Sequence, residues 1–539
     1  MTPAVRFFWT SSLLWLTLGA YFLFHVSGAG FSIEAANDHI GALIFLLCGL
    51  LFFAIGLHDM FVSDSNLRKN YPVFANLRYL FEAIRPEIRQ YFIASNLEEA
   101  PFNREARDLI YRRAKKLNDT LPFGTEQDLM EDGYLTVFHS IKATHVPKEK
   151  ARILFGGEQC LKPYNASILN ISGMSFGALS ASAISALNKA AAMGNFAHNT
   201  GEGSISPHHR THGGDLIWQI GTGYFGCRNL DGSFNDVAFQ KNAEADVVKM
   251  IEIKISQGAK PSHGGVLPGA KVTQEIATIR LVEVGKTVES PANHPEFSTP
   301  TGLLEFVKRL RDLSGGKPTG FKLCIGRKSE FMSIVKAMLS TGIYPDFITI
   351  DGAEGGTGAA PVEFSNRIGM PCLEATYFVN QVLVGAGIRS KLRIISAGKT
   401  ATGFDLLTKM ALGADSVNSA RAMMLALGCV QSKSCNTNKC PTGIATTDPA
   451  RAKAIDVEDK SRRVKNYHAG TIEAFMDLCG ALGYDDPTNL RASDLFQRVG
   501  KDLKHFDQIY TPLSSGQLLT SSIPEAYAED WHKSSAESF

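Results

Sequence analysis

Two long stretches near the start of the chain contain no Asp, Glu, Lys or Arg: residues 7–26 and 40–57. A helix rises about 1.5 Å per residue, so ~20 residues cross the roughly 30 Å hydrocarbon core of a bilayer. The pair predicts a two-helix transmembrane hairpin over residues 1–63, with Trp9, Trp15 and Tyr21 at or near the interfaces. A cleaved signal peptide or two buried core helices would show part of this pattern, but the first run is long and the second follows at once. Arg6 precedes the first run. Glu34 and Asp38, with no Lys or Arg, fall between the runs, and Arg68, Lys69, Arg78, Arg85 and Arg89 follow the second. The positive-inside bias therefore predicts a two-pass protein of the cell membrane with both ends, and the catalytic body, in the cytoplasm.

After the hairpin, Phe74, Leu77, Leu80, Phe81 and Ile84 recur at mixed three- and four-residue steps, which predicts an amphipathic helical linker over residues 64–133. Its Arg-rich faces suit anionic lipid headgroups or a solvated surface equally well. Strand candidates at 167–171, 247–255, 321–325, 346–350, 392–395 and 415–418 then alternate with helix candidates at 178–192, 303–313, 330–340, 374–386 and 403–412, and with a helix from Arg421. This alternation over ~270 residues predicts an α/β fold, a (β/α)8 TIM barrel within residues 134–500. A doubly wound sheet is the alternative, but no G-x-G-x-x-G run follows a first strand. A further helix is expected at 468–482. The tail, 501–539, has few apolar residues from about Tyr510 and is expected to be extended or disordered.

The 539 residues are 44% hydrophobic and 20% charged, with a formal net charge of +2. Basic residues are scattered, so no nucleic-acid partner is indicated. Nine cysteines without a paired pattern do not describe a secreted disulfide framework, and a reducing compartment is expected. Glycine and small polar residues crowd the strand ends, as in Gly173-Met174-Ser175-Phe176-Gly177, Gly352 to Gly358 and Ser396-Ala397-Gly398-Lys399. Loops after barrel strands 7 and 8 commonly hold phosphate, so the pattern favours a phosphate-bearing cofactor. Cys429, Cys435 and Cys440, followed by Pro441, form a loop at 429–440 that suits a soft metal centre. A three-iron cluster, a cluster with a fourth distant ligand, structural zinc and three free thiols are all compatible with that spacing.

Taken together, several motifs resemble the FMN-binding synthase domain of glutamate synthase. They are Met174-Ser175-Phe176-Gly177, Thr200-Gly201-Glu202-Gly203, the Lys254/Gln257/Lys260 spacing, Gly355-Gly356-Thr357-Gly358-Ala359 and the cysteine spacing, over about Tyr134 to Asp448. The resemblance implies bound FMN and a 3Fe-4S cluster on Cys429, Cys435 and Cys440. It implies that Met174, Ser175 and Lys254 line the flavin. Gly355, Gly356, Thr357, Gly358, Gly398, Ser419 and Arg421 would approach its ring and phosphate. Gln257, Lys260 and Arg280 would face the carboxylates of 2-oxoglutarate, and Glu202 would stand near the reacting carbon, with Glu202 and Lys260 as the catalytic residues. Elementary chemistry agrees: fixed cations suit a dicarboxylate, and a positioned Glu can exchange a proton with an imine.

The likeness has departures. Where the family usually reads Gly-Glu-Gly-Gly-Gln after its Lys-Pro, this chain has Ser262-His263-Gly264-Gly265-Val266. Val266 has no side-chain hydrogen bond to offer a keto acid, so a related 2-oxo acid is an open alternative. The chain begins Met-Thr ahead of the first apolar run, without the N-terminal Cys nucleophile of a glutaminase. Nitrogen is therefore expected as ammonia or from an amidotransferase partner. Electrons are expected from a ferredoxin-like or reductase partner, because no NAD(P)H fingerprint is present. The leading expectation is reductive amination of a 2-oxo acid to a glutamate-type product. A membrane-linked flavin dehydrogenase acting on another small acid and a non-catalytic anchored scaffold are the alternatives.

Overall fold

The computed structural model describes residues 1–27 and 33–539, and side chains outside 26–39, so Glu34 and Asp38 between the apolar runs lie outside the described residues. The chain forms two compact units, Met1–Ser95 and Asn96–Phe539, and the expected linker divides between them.

The first unit is built on helices α1 (Pro3–Ser27) and α2 (Ile33–Leu57). Their seam is aromatic. Phe8 is fully buried, with its ring 5.7 Å from Phe52 and 6.1 Å from Phe53. Gly56 makes this possible, because a Cβ there would lie 1.9 Å from the Phe8 ring. The Trp15 indole N–H donates to the Phe45 carbonyl at 3.1 Å. Leu13, Leu14, Phe24, Leu43, Leu47 and Leu51 face outward and are exposed. Segments Pro3–His25 and Ile40–Val62, with mean hydropathies of 1.4 and 2.8, are long and apolar enough to cross a membrane. Apolar side chains on the outside and small residues in the seam are the packing expected of helices in lipid.

The second unit holds a closed barrel of eight parallel strands. They are β1 (Leu169–Ile171), β2 (His198–Asn199), β3 (Leu216–Ile220), β4 (Val248–Lys254), β5 (Thr319–Cys324), β6 (Phe347–Asp351), β7 (Arg393–Ala397) and β8 (Ser416–Ser419). The ring closes where Val417 of β8 pairs with Leu169 of β1. The expected strands map to β1 and β4–β8. Two were not anticipated: β2 is only two residues long, and the apolar run Leu-Ile-Trp-Gln-Ile of β3 shows no alternation because all five side chains are buried. Inside the barrel the Glu252 carboxylate accepts from Asn199 Nδ2 at 2.8 Å, Gln219 Nε2 at 2.7 Å and Thr349 Oγ1 at 2.6 Å. Below it, the antiparallel pair Arg152–Phe155 and Tyr164–Ser167 covers the barrel floor, with the Phe155 ring 5.9 Å from that of Phe347.

The helix expected at 468–482 begins earlier and runs Val457–Ala481, because Asp456 caps it by accepting from the amides of Glu458 (2.9 Å) and Asp459 (3.2 Å). The tail departs from the expectation of disorder. It contains a helix, Glu525–Lys533, whose Tyr527 and Trp531 are buried on the barrel. Lys336 Nζ donates to the carbonyls of Trp531 (2.6 Å) and Ser534 (2.9 Å), closing the end of that helix. Few apolar residues suffice here because two of them are large aromatics, each burying more area than a single aliphatic side chain.

Burial pushes the pKa of His198 from the ordinary 6.5 down to about 3, and those of His294 and His468 down to about 4. These rings are neutral in the fold and would protonate near 6.5 when unfolded. The stability they contribute is complete above that value and is lost as pH falls toward 4. Thermal unfolding followed between pH 7 and pH 4.5 should show Tm falling steeply below pH 6.5. His468→Gln should flatten part of that slope, and a Tm flat across this range would disprove the account.

Candidate active site

The open ends of the eight strands face one side of the barrel, and the loops leaving them enclose three adjoining cavities. The largest, about 460 Å³, is shared by Met174, Ser175, Glu202, Lys254, Thr357 and the three cysteines. A second, about 70 Å³, lies over β5–β8 and is lined by Lys322, Gly355, Gly356, Gly398, Ser419 and Arg421. A third, about 50 Å³, is lined by Glu202, Phe225, Lys260, Val266 and Arg280. Gln257 borders all three. Each site residue expected from the sequence therefore lines at least one of these cavities. His263 lines none of them; its ring Nδ1 is 3.0 Å from the Gly264 carbonyl.

The loop after β2 carries Glu202, and β4 ends in Lys254, whose Nζ is 2.8 Å from the Glu202 carboxylate and 3.1 Å from Gln257 Oε1. Two glycines hold Glu202 in place. A Cβ at Gly221 would lie 2.8 Å from its carboxylate and one at Gly265 only 2.6 Å away. Burial works to raise the Glu202 pKa, yet Lys254, Arg280 and Lys260 together hold it below the usual carboxylate value. Glu202 is thus favoured in its ionised form.

The third cavity is rich in positive charge. Arg280 is buried, donates from Nη2 to the Phe176 carbonyl at 2.7 Å and stacks 5.1 Å over the Phe225 ring. Gly203 leaves room for it, since a Cβ there would be 2.6 Å from Arg280 Nη2. Burial lowers the Arg280 pKa to about 10 and lowers that of Lys260 below the ordinary lysine value. Lys260 is 1% exposed, and its Nζ, like Arg280 Nε, has no hydrogen-bond partner among the described residues. Lys260 and Arg280 share one carboxylate in this cavity, Glu202, which Lys254 also pairs from the large cavity, and Glu289 adds only a longer-range attraction at Lys260. Burying an unpaired ammonium is costly unless a ligand supplies its counter-charge. The arrangement leaves room for a small anion to supply that counter-charge.

Lys322 of β5 and Asp351 of β6 form a buried ion pair at 3.0 Å, and Asp351 also accepts from the Gly258 amide at 3.1 Å. Burial opposes charge on Lys322, but Asp351 and Glu252 hold its pKa above the ordinary value. This pair was not among the expected site residues, although a lysine inside the apolar strand candidate at 321–325 signals it. Arg421 donates to the Glu354 carbonyl at 2.5 Å and stacks 5.4 Å over Phe102. Gly355, Gly356 and Gly398 line the same cavity as these cations, and a Cβ at Gly356 would lie 3.1 Å from the Arg421 guanidinium.

Cys429, Cys435 and Cys440 share the large cavity with Met174 and Lys254. Among the described residues, no group of three or more His, Cys, Asp or Glu side chains is drawn together as a metal site, so the sulfurs face one space without converging on one point. Their loop is fastened from outside. Tyr111 Oη donates to the Cys429 carbonyl at 2.7 Å. Lys271, also unforeseen, is buried and donates from Nζ to the carbonyls of Cys435 (2.9 Å), Ala445 (3.1 Å) and Ala178 (3.5 Å).

A family model described as the conserved region in glutamate synthase matches residues 134–485, well over half of the chain. The chain belongs to the glutamate synthase family. Its relatives in the family include the glutamate synthase large subunit-like protein YerD of Bacillus subtilis (strain 168), 36% identical over 503 residues, which are 85% of this chain and 95% of YerD. An archaeal-type glutamate synthase (NADPH) of Thermotoga neapolitana is 35% identical over 322 residues, so this chain spans only 60% of that protein's length. Among solved structures, a flavocytochrome b2 variant with benzoylformate covers 88% of this chain and 96% of its own at 13% identity, with a TM-score of 0.43. That overlap is too loose to carry a functional argument.

Two outcomes are expected. A buried charge-assisted hydrogen bond contributes ~1.5–3 kcal/mol, so Lys260→Met should weaken binding of a small dicarboxylate by roughly 10- to 100-fold, read by calorimetry. Because the Lys260 pKa is lowered, affinity should decline with rising pH before the ordinary lysine range is reached, and Lys260→Arg should remove that decline. Unchanged affinity in Lys260→Met would refute the anion receptor. Lys271→Met should speed amide exchange across residues 429–446, with Lys271→Arg partly restoring protection; identical exchange in the wild type and Lys271→Met would remove Lys271 from this role.

Proposed function

We propose that this chain is a glutamate synthase-like FMN and iron–sulfur oxidoreductase that reductively aminates 2-oxoglutarate, or a related 2-oxo acid, to a glutamate-type product. The observation that carries this reading is the buried, unpartnered Lys260 ammonium beside Arg280, in a chamber that opens onto Glu202. The residues present fit FMN: Gly355, Gly356 and Gly398 line one cavity with the cations Lys322 and Arg421, and Asn418 Oδ1 in the same cavity is buried without a partner among the described residues. Met174, Ser175, Lys254, Thr357, Gly358 and Ser419 would complete that site. The all-thiolate donor set of Cys429, Cys435 and Cys440 fits a 3Fe-4S cluster. When bound, FMN would supply hydride chemistry and the cluster a one-electron relay from a ferredoxin-like or reductase partner.

The chain's own groups have separable tasks in this reading. Lys260 and Arg280 bind the substrate carboxylates and Gln257 orients them. Glu202, ionised among three cations, accepts a proton from the nitrogen that adds to the keto carbon and returns it to the departing hydroxyl. Nitrogen enters as ammonia or from an amidotransferase partner. Helices α1 and α2 form a two-pass hairpin in the cell membrane, with the barrel on the cytoplasmic side.

A second reading, a flavin dehydrogenase acting on another small acid, draws on the apolar Val266 in the wall of the anion chamber. Anaerobic reoxidation of the reduced protein by a panel of 2-oxo acids, with and without ammonia, separates the two. Reoxidation should require both a 2-oxo acid and ammonia. Flavin reduction by a hydroxy acid would favour the second reading, and a purified protein without flavin absorbance or iron would defeat both. Glu202→Gln should lower kcat by about 10²-fold with little change in KM; an unaltered kcat would eliminate Glu202 as the proton carrier.

A further inference from the structure

Within the Met1–Ser95 unit, α2 gives way to a π-helical turn at His58–Val62 and then, through a short helix, to Ala75–Ile88, which runs on into a second π-turn, Arg89–Ile93. Asp59 fixes this geometry. It is buried and accepts from the Val73 amide at 2.9 Å and from Asn76 Nδ2 at 2.6 Å. On a 3.6-residue period, Leu77, Leu80, Phe81, Ile84, Tyr91 and Phe92 share one stripe, and all are exposed, Phe92 by 84%. Arg78, which pairs with Glu82 at 2.9 Å, and Arg85 and Arg89 follow one edge of that stripe. A solvent-facing apolar strip of this kind is unfavourable by ~25 cal/mol per Å² and marks a surface that another apolar phase covers.

Two observations name the covering phase. The stripe is continuous with the apolar surface of α2: the Phe74 ring packs at a tilt on Phe7 (5.8 Å) and edge-to-face on Phe52 (6.3 Å), and a groove of about 840 Å³ lined by Ala54, Ile55, Leu77 and Leu80 joins the two helices. The arginine edge adds positive charge where the apolar segment Ile40–Val62 ends. We propose that residues 74–93 lie in the headgroup layer of an anionic leaflet, with the apolar stripe toward the acyl chains and the arginines toward lipid phosphates. This inference rests on the hairpin reading of α1 and α2. It adds a second element, parallel to the membrane surface, that makes the attachment sensitive to lipid charge.

The test uses the full chain reconstituted into vesicles of phosphatidylcholine with or without phosphatidylglycerol. Photoreactive p-benzoylphenylalanine replaces Phe81 or Phe92, with Ala83 on the opposite side as control. Positions 81 and 92 should yield lipid adducts by mass spectrometry and position 83 few. Phosphatidylglycerol should be enriched among the adducts, and Arg85→Gln with Arg89→Gln should reduce that enrichment by at least roughly fivefold. Adducts from 81 and 92 only to residues 96–539, in a chain that still floats with vesicles after a carbonate wash, would overturn the proposal and leave the hairpin standing. A chain released by the wash would overturn the hairpin reading itself.

Discussion

A single carboxylate organises the barrel. Glu252 is buried inside the strand ring, where an unsatisfied charge would cost several kcal/mol. It is tolerable because Asn199, Gln219 and Thr349 donate to it from β2, β3 and β6, while it projects from β4. Losing one donor leaves the charge short of a partner, so these strands are held to a common register by electrostatics as well as by the sheet. Strand periodicity then places Lys254, two residues on, on the same inward side but at the open end. The interior alternates in charge along its axis. The carboxylate lies deeper, Lys254 and Lys322 lie above it, and Glu202 and the anion chamber lie at the mouth.

That stacking explains why the site's charges are shared rather than local. Glu252 contributes to keeping Lys322 protonated, and Lys254 to keeping Glu202 ionised. At the Lys260–Arg280 corner, Lys260 Nζ and Arg280 Nε are left without a hydrogen-bond partner among the described residues. In the proposed reading a substrate anion fills that gap, and the neutral walls choose among anions.

Much of this was legible in the amino-acid sequence, for physical reasons. Strands β4, β6 and β7 announce themselves by β-branched runs followed by glycine-bearing turns, because a parallel strand buried on both faces needs the first and a ligand loop at its end needs the second. The lysines and cysteines that line the cavities were visible through motif spacing. What escaped was whatever depends on long-range partners. β2 is too short to have a pattern of its own and exists because β1 and β3 flank it. Lys271 looks like any surface lysine until three carbonyls from separate segments meet at its ammonium. The tail looked polar because Tyr527 and Trp531 each stand among charged neighbours. In the apolar hairpin the rule is reversed: composition alone indicated the helices, but the placement of Gly56 against Phe8 emerges only from the packing.

The missing side chains at Gly221 and Gly265 make the site asymmetric in how it can diversify. Even one added methyl on either residue drives into the Glu202 carboxylate, so that wall is sterically closed to change. Val266 and Phe225 line the same chamber and are apolar, and Phe225 lies beneath the Arg280 guanidinium. In the proposed reading Val266 is therefore the position where the chamber can trade one acid for another, while the two glycines keep Glu202 where it is.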